Sequence, residues 1–533
     1  MAEAMGHELA VVAAVVLGVA VQLVALKWVR VGQREHYLPG RIGIFFALWY
    51  RASFVNQALL VIGFILLIGS FARNLGTVAH LVIAAAMVAC VLAMPVGLGF
   101  RGRTSKLALT ARLKRLLVVV GLIDAALTFV GWLLGFPLAF ALLGGYLAPA
   151  VVELALVLTR PLEDRLMQRY VDDASERLRR VRPRVVGITG SFGKTTTKNY
   201  LATLLEGSVR AVASPASFNN RGGLARAINE RLVPGTEVFI AEMGTFGPGE
   251  IAALCAWIPP QIAVITALGP VHLERFGSEA SILRAKLEIT EQASVVIINI
   301  DYPRLALAAK ALAGSANPRR IIKVSAITLD ADVTVKPNEE GELLVYLAGS
   351  KLGKIDAGEI APTNLACAIA AALECGVTPQ ALQDRLGHVT SPANRLVTAV
   401  VPESGIEVLD DTYNSNPAGA RRALAALERR GAEAATKFVV TPGMVELGKR
   451  QYPENYSLGK AAGLVADQLI IVGKTNRAAL VGGAAEAQAE TPQSRLDAIV
   501  TVRDRASAIA HVKRYSKAGD VVLYENDLPD HYP

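Results

Sequence analysis

The stretch 184-RVVGITGSFGKTTTKNYLATLL-205 decides the fold of the longer part of this chain. Its opening 184-RVVGIT-189 is a short apolar run ending at a glycine-bearing turn, which predicts a strand. Residues 195-TTTKNYLATLL-205 read as a helix. In that context the backbone N–H groups around Gly190, Ser191 and Gly193 are placed to cradle phosphates at a helix N-terminus. Lys194 is placed to neutralise the outer phosphates, and the Thr195 hydroxyl to ligate magnesium. The usual spacing has a glycine five residues before Gly193, where Ile188 stands. A glycine turn with a solvent-facing lysine is the alternative. Strand, glycines, Lys-Thr and helix in one run favour the phosphate loop.

Outward from the loop, the chain divides sharply in composition. It has 533 residues, enough for about three domains, with 52% apolar residues and a net charge of +9. Nearly all the long apolar runs lie in residues 1–159, while 160–533 reads as ordinary globular sequence. Cys90, Cys255, Cys367 and Cys375 form no Cys-x-x-Cys pair. Neither a disulfide framework nor a zinc ribbon is expected, and a reducing compartment fits the globular part. Many cations flank apolar runs, so the positive charge is read as setting membrane orientation rather than as binding nucleic acid.

Five stretches are long enough to span a bilayer, at about 9–29, 53–71, 78–98, 116–134 and 137–158. The first has no small-residue cleavage site behind it, so it does not read as a cleaved signal peptide. Arg30, Arg34, Arg41 and Arg51 follow the first stretch. Arg101, Arg103, Lys106, Arg112, Lys114 and Arg115 follow the third, and Arg160, Arg165 and Arg169 the fifth. The remaining loops offer only Arg73, and the N-terminal tail holds Glu3 and Glu8. This asymmetry predicts a multi-pass protein of the cell (inner) membrane, with its N-terminus outside and its globular part in the cytoplasm. Asp124 is the main polar residue within the spans, as an ion-path candidate or as helix-packing glue. Residues 160–183 read as a charged linker helix ended by Pro183.

Further motifs follow the loop in order. They are 217-SFNNRGG-223, 237-EVFIAEMG-244, 272-HLERFGSEASILRAKLEI-289, 362-PTNLACAIAAAL-373, 394-NRL-396, 409-LDDTYNSNP-417 and 442-PGMVELG-448. With TGSFGKTTT at 189–197, the set resembles the Mur ligase family, closest to its D-alanyl-D-alanine-adding branch, over about two thirds of the chain. The resemblance implies an ATP loop that includes Thr189 and Thr196, and a substrate loop at Asn219 and Asn220. It implies a magnesium-binding carboxylate at Glu242, a metal-site histidine at His272 and a carbamoylated lysine at Lys286. Asn364 would contact the adenine side and Arg395 the phosphates. Asp410, Asp411 and Tyr413 would lie on the ribose side, with Asn414 and Asn416 toward substrate. Taken singly, the histidine is by default a packed or surface residue, Lys286 a solvated helix lysine and Glu242 a strand end; the ordered set favours function.

The implied reaction joins a carboxylate to an amine at the expense of ATP, through an acyl phosphate, with two Mg2+ ions. Carbamoylation would make Lys286 an anionic oxygen ligand, suited to a hard cation. The implied architecture is α/β: a helical membrane domain (1–159), the linker (160–183), a central ATP-binding domain (184–392) and a Rossmann-like C-terminal domain (393–533). The strands expected in the last are 436–441, 468–473, 498–502 and 520–525, with a hinge at 391–395 and a hairpin over 332–349 in the central domain.

Soluble members carry an N-terminal domain that grips a UDP-linked sugar peptide, and here membrane spans take its place. That points to a lipid-linked cell-wall precursor, or another envelope polymer, as acceptor and to the bilayer as partner. The four-cysteine ribbon of the lipid-II-amidating subfamily and the Asp-Asn-Pro-Arg motif of diaminopimelate-adding members do not occur, and 523-LYENDLPDHYP-533 departs from the end expected of the nearest branch. A membrane-bound synthetase of the poly-γ-glutamate type is the second enzyme reading. A transporter driven by a phosphate-loop domain lacks an LSGGQ signature and a polar pathway, and a vestigial nucleotide fold on a scaffold sits badly with the intact Lys194–Thr195 pair.

Overall fold

The structure, a computed structural model, describes residues 2–72, 76–102, 106–315, 319–358, 360–390, 397–412, 416–430, 435–490, 494–528 and 531–533; for 2–16, 77, 397 and 398 only the backbone is described. Two compact units result. One is Met1–Leu166 with Gly473–Thr475 and Asp527–Pro533, the other Met167–Val472 with Asn476–Asn526.

The first unit is helical: α1 (Ala2–Arg34), α2 (Arg41–Arg51), α3 (Phe54–Ser70), α4 (Thr77–Ala93), α5 (Ala111–Leu134), α6 (Pro137–Tyr146) and the start of α7 (Ala148–Val181). Among the described residues only α5 is by itself long and apolar enough to cross a membrane. The number rises to three if α2 with α3, bent by 109°, and α6 with α7, bent by 79°, each make one span. That is fewer than the five stretches expected, and prolines explain part of the difference. Pro95 forces Met94 into an extended conformation (ψ 139°), so α4 stops at Ala93. Pro149 has no N–H to continue the α6 ladder and sits instead in the first turn of α7, so the stretch 137–158 breaks at Leu147. Trp28, Phe45, Met87, Leu116 and Val152 fill the interior, while Phe54, Phe64, Ile65, Phe129, Trp132 and Leu133 face outward.

Asp124 packs within the bundle. Its carboxylate accepts from Gln22 Nε2 at 3.3 Å and lies against Gly144, where a Cβ would come within 2.7 Å of it. The chain's last residues also pack here. His531 Nε2 meets Glu35 Oε1 at 3.2 Å, Trp49 Nε1 donates to the His531 carbonyl at 2.9 Å, and Tyr532 lies edge-on to Phe45.

The second unit holds two sheets. The first contains β1 (Arg184–Thr189), β2 (Ala211–Ala213), β3 (Val238–Glu242), β4 (Ile262–Ile265), β5 (Val295–Asn299), β6 (Arg320–Ser325), β7 (Val333–Pro337), β8 (Glu342–Leu347) and β9 (Ser350–Asp356). Their order is β2-β3-β1-β4-β5-β6-β7-β8-β9. Pairing is parallel as far as β7, after which β7, β8 and β9 form an antiparallel meander that extends the expected hairpin. Helices cover both faces. Tyr200, Leu201 and Leu204 of α8 (Lys194–Leu205) pack with helix Pro362–Glu374 on one face, and helix Arg221–Arg231 packs on the other. The second sheet contains β10 (Val397–Val400), β11 (Glu407–Asp411), β12 (Lys437–Thr441), β13 (Gln468–Val472), β14 (Ala498–Val502) and β15 (Val521–Glu525), in the order β10-β11-β15-β12-β13-β14. β10 runs antiparallel to β11 and the other pairs are parallel. Strands buried on both faces account for the near-continuous apolar runs. In such sheets the loops after the carboxyl ends of the strands gather the ligand-binding groups.

Candidate active site

The phosphate loop leaves β1 between two parallel neighbours, with Ile188 in register with Glu242 of β3 and Val264 of β4. Ile188 is fully buried, a core position, and the loop's own glycines are Gly190 and Gly193. Gly193 caps α8 at φ +81°, and a Cβ there would fall 2.3 Å from Asn364 Oδ1. Only glycine fits that position on both counts. A Cβ on Gly190 would lie 2.0 Å from Thr266 Oγ1.

Ser191 ties the loop down. Its N–H donates to the Ala267 carbonyl (2.9 Å), its hydroxyl donates to the Gly269 carbonyl (3.1 Å), and that hydroxyl accepts from Gly269 N–H (3.0 Å). Its N–H is thus spent on the protein, which makes Ser191 a brace for the loop. Thr189 and Thr196 are buried, Thr195 is half-buried, and Lys194 donates to the Gly190 carbonyl at 2.8 Å.

Glu242 closes β3 beside this loop and is 1% exposed. Lys198 Nζ lies 3.2 Å from its Oε2, and Asn219 Nδ2 donates to its Oε1 at 3.1 Å. Asn219 is therefore bound to the acidic group. Lys198 is a residue the sequence reading passed over, although it stands one turn beyond Lys194 on the same face of α8. Asn220 and Asn416 both serve as helix N-caps, accepting from Gly223 N–H and Gly419 N–H at 2.9 Å each.

Lys286 sits on helix Glu279–Leu287 and is 3% exposed. Burial first, and then the nearby Lys194 ammonium, hold its amine well below the ordinary lysine range. His272 occupies a left-handed conformation (φ +51°) at the start of the short helix Leu273–Phe276. Its Nδ1 bonds Glu446, a partner the sequence reading did not identify, in the loop after β12.

On the C-terminal sheet, Asp410 accepts from Thr412 N–H (3.1 Å) and Oγ1 (2.6 Å). Asp411 pairs in register with Glu525 of β15. Glu525 is fully buried, bonds Thr441 Oγ1 at 2.5 Å, and is pushed by burial up to about 8, against the Thr441 hydrogen bond and with the Asp411 carboxylate adding to the rise. Arg395, Tyr413 and Asn414 lie outside the described residues, as do the hinge at 391–395 and the loop cations Arg73 and Arg103.

No three His, Cys, Asp or Glu side chains converge on one point among the described residues. This donor set still fits magnesium, which is held by one or two protein oxygens together with substrate phosphates. Glu242 at the end of β3 and Thr195 in the first turn of α8 are oxygen donors of that kind.

Comparison with known proteins agrees with the fold. Residues 188–372 match the Mur ligase middle domain, and residues 395–524 match the "Mur ligase, glutamate ligase domain". The chain is 32% identical over 378 residues to the UDP-N-acetylmuramoyl-tripeptide–D-alanyl-D-alanine ligase of Mycobacterium leprae, covering 64% of this chain and 70% of that one. Its Bacillus subtilis counterpart is 28% identical over 358 residues, 64% and 72% of the respective chains. Among solved structures, MurF ligase from Thermotoga maritima in complex with ADP aligns with a TM-score of 0.56 at 25% identity, covering 68% of this chain and 80% of that one.

Proposed function

We infer, from the premise that the chain belongs to the Mur ligase family and is an ATP-dependent, ADP-forming amide ligase of peptidoglycan synthesis, that it attaches an amine such as D-alanyl-D-alanine to a membrane-associated muramoyl-peptide acceptor. The observation that carries the site assignment is buried Glu242 at the end of β3, in register with Ile188 of β1 two residues before the glycine that opens the phosphate loop. Lys194 and the amides at the start of α8 would hold the ATP phosphates, with Arg395 as a further cation. Thr195 and Glu242 would hold one Mg2+, and His272 with carbamoylated Lys286 a second. Bound magnesium supplies charge neutralisation between phosphates and the acceptor carboxylate.

The chain's own groups prepare this. Burial lowers the Lys286 amine below the ordinary lysine range, which favours the neutral form that adds carbon dioxide. Lys198 balances the Glu242 carboxylate, and Asn219 fixes its orientation. Asn364, packed against Gly193, would face the adenine, and Asp410 and Asp411, with Tyr413, the ribose. Asn414 and Asn416 would serve the substrate side. Water must be kept from an acyl phosphate, and seating the C-terminal sheet over the central one would serve that end.

A membrane acceptor is supported by α5, by the outward apolar side chains of α3 and α5, and by the cationic segments after α1 and before α5. On this reading the first unit is a multi-pass anchor in the cell membrane, its N-terminus outside and the catalytic domains in the cytoplasm. The test uses purified full-length protein in nanodiscs with ATP, Mg2+ and D-alanyl-D-alanine, offered either a UDP-linked or a lipid-linked muramoyl peptide. Phosphate release and product mass are followed. Faster turnover of the lipid-linked acceptor is expected. Equal or faster use of the UDP-linked one overturns the membrane-acceptor reading, and phosphate release with neither overturns the substrate assignment.

A further inference from the structure

The loop 442-PGMVELG-448 reaches from the C-terminal sheet to the segment bearing His272. Glu446, itself in a left-handed conformation (φ +63°), accepts from Arg275 Nη2 at 3.1 Å through one carboxylate oxygen and bonds His272 Nδ1 through the other. Its carbonyl takes the Glu274 N–H at 3.2 Å. Gly448 (φ +55°) lies so close to the Glu274 backbone that a Cβ would come within 3.4 Å. Phe246 backs the group, with its ring edge-on to His272 at 4.9 Å and the Arg275 guanidinium 4.8 Å from its centroid. Two residues other than glycine held at positive φ and bonded to each other mark an arrangement that the surrounding structure over-determines.

We propose that Glu446 is the positioning residue of His272. A neutral imidazole that donates its Nδ1 proton to a carboxylate presents the Nε2 lone pair. Metal-bound histidines commonly carry such a carboxylate on the other nitrogen, which fixes both tautomer and ring direction. Arg275 Nη2 holds the other oxygen of the Glu446 carboxylate and fixes its direction. The carboxylate belongs to the C-terminal sheet and the imidazole to the central one. Seating of the C-terminal domain therefore completes the support of a metal ligand, and metal affinity reports on that seating. The inference rests on the proposed role of His272 at the second magnesium.

The test measures Mn2+ binding by electron paramagnetic resonance in full-length protein with a non-hydrolysable ATP analogue, for Glu446→Ala, Glu446→Gln and His272→Ala. Half-saturating Mg2+ for phosphate release and melting temperature are recorded for each. Loss of such outer partners lowers metal affinity roughly 10–100-fold. Glu446→Ala is expected to weaken one Mn2+ site and raise half-saturating Mg2+ by that order. Glu446→Gln, which still accepts a hydrogen bond, should do so by less, and Glu446→Ala should add nothing in a His272→Ala background. A structural role alone would lower the melting temperature and leave Mn2+ affinity intact, which overturns the proposal. If Glu446→Ala does not fold, wild-type Mn2+ affinity in Glu446→Gln overturns it. Unchanged Mn2+ affinity in His272→Ala defeats instead the metal role of His272. A weakened His272→Ala beside unaffected Glu446 variants defeats the Glu446 proposal alone.

Discussion

Replacing Lys198 with Met removes one half of an ion pair whose members are 2% and 1% exposed and 3.2 Å apart. At an effective dielectric of about 20, that separation corresponds to about 5 kcal/mol of attraction. Much of this is offset by the cost of taking both charges out of water. The single variant is costlier than the pair's net worth suggests, because Glu242 remains buried with Asn219 as its remaining side-chain donor. Roughly 3–5 kcal/mol of destabilisation is expected when one partner of a buried pair is lost. At about 2 °C per kcal/mol for a domain of this size, melting should fall by about 6–10 °C. Differential scanning fluorimetry in nanodiscs measures it, without ATP and with Mg2+ varied. Two companion results sharpen the test. Added Mg2+ should recover more stability in Lys198→Met than in wild type, because a cation can then settle on the unbalanced carboxylate. The double variant Lys198→Met/Glu242→Gln should melt above the single one, since no buried charge is left. A Lys198→Met protein within about 1 kcal/mol of wild type, or a double variant no better than the single, would refute the reasoning.

Three further outcomes are expected. Gly193→Ala places a Cβ 2.3 Å from Asn364 Oδ1 at φ +81°, where strain alone costs about 1–2 kcal/mol. Binding of a fluorescent ATP analogue should weaken more than tenfold while the circular-dichroism spectrum is kept, and unaltered affinity refutes the fit. Lys286→Ala should abolish turnover and regain part of it in added acetate, which can stand in for a carbamate; in wild type, scrubbing carbon dioxide should slow phosphate release, and no effect of either treatment counts against carbamoylation. Glu525, raised to about 8 in the folded chain, holds a proton that the unfolded chain releases above its ordinary value of 4.5. Folding stability from this group is therefore full below pH 4.5 and is lost as pH rises from 4.5 through 8. Melting of Glu525→Gln should drop less than wild type between pH 6 and 8.5, and parallel curves would refute the assignment.

Much of the central fold was legible because its signals are local. A buried strand, a glycine turn that needs positive φ and an amphipathic helix each write their demands into neighbouring residues, so 184–205 announced both sheet and phosphate loop. The ordered motifs carried the family for the same reason. Span counting was less secure, since apolar length cannot see where Pro95 and Pro149 interrupt a helix. Side-chain assignments at the site depended on contacts between residues far apart in the chain. Asn220 and Asn416 took capping roles, and Ser191 spent its N–H on Ala267. Lys198 found Glu242 across 44 positions, and Glu446 found His272 across 174. Hydropathy and spacing report what a residue needs from its neighbours in sequence. Which carboxylate balances which buried cation is settled only when the sheets bring distant strand ends together, because the Coulomb energy depends on ångströms of separation in space and not on separation along the chain.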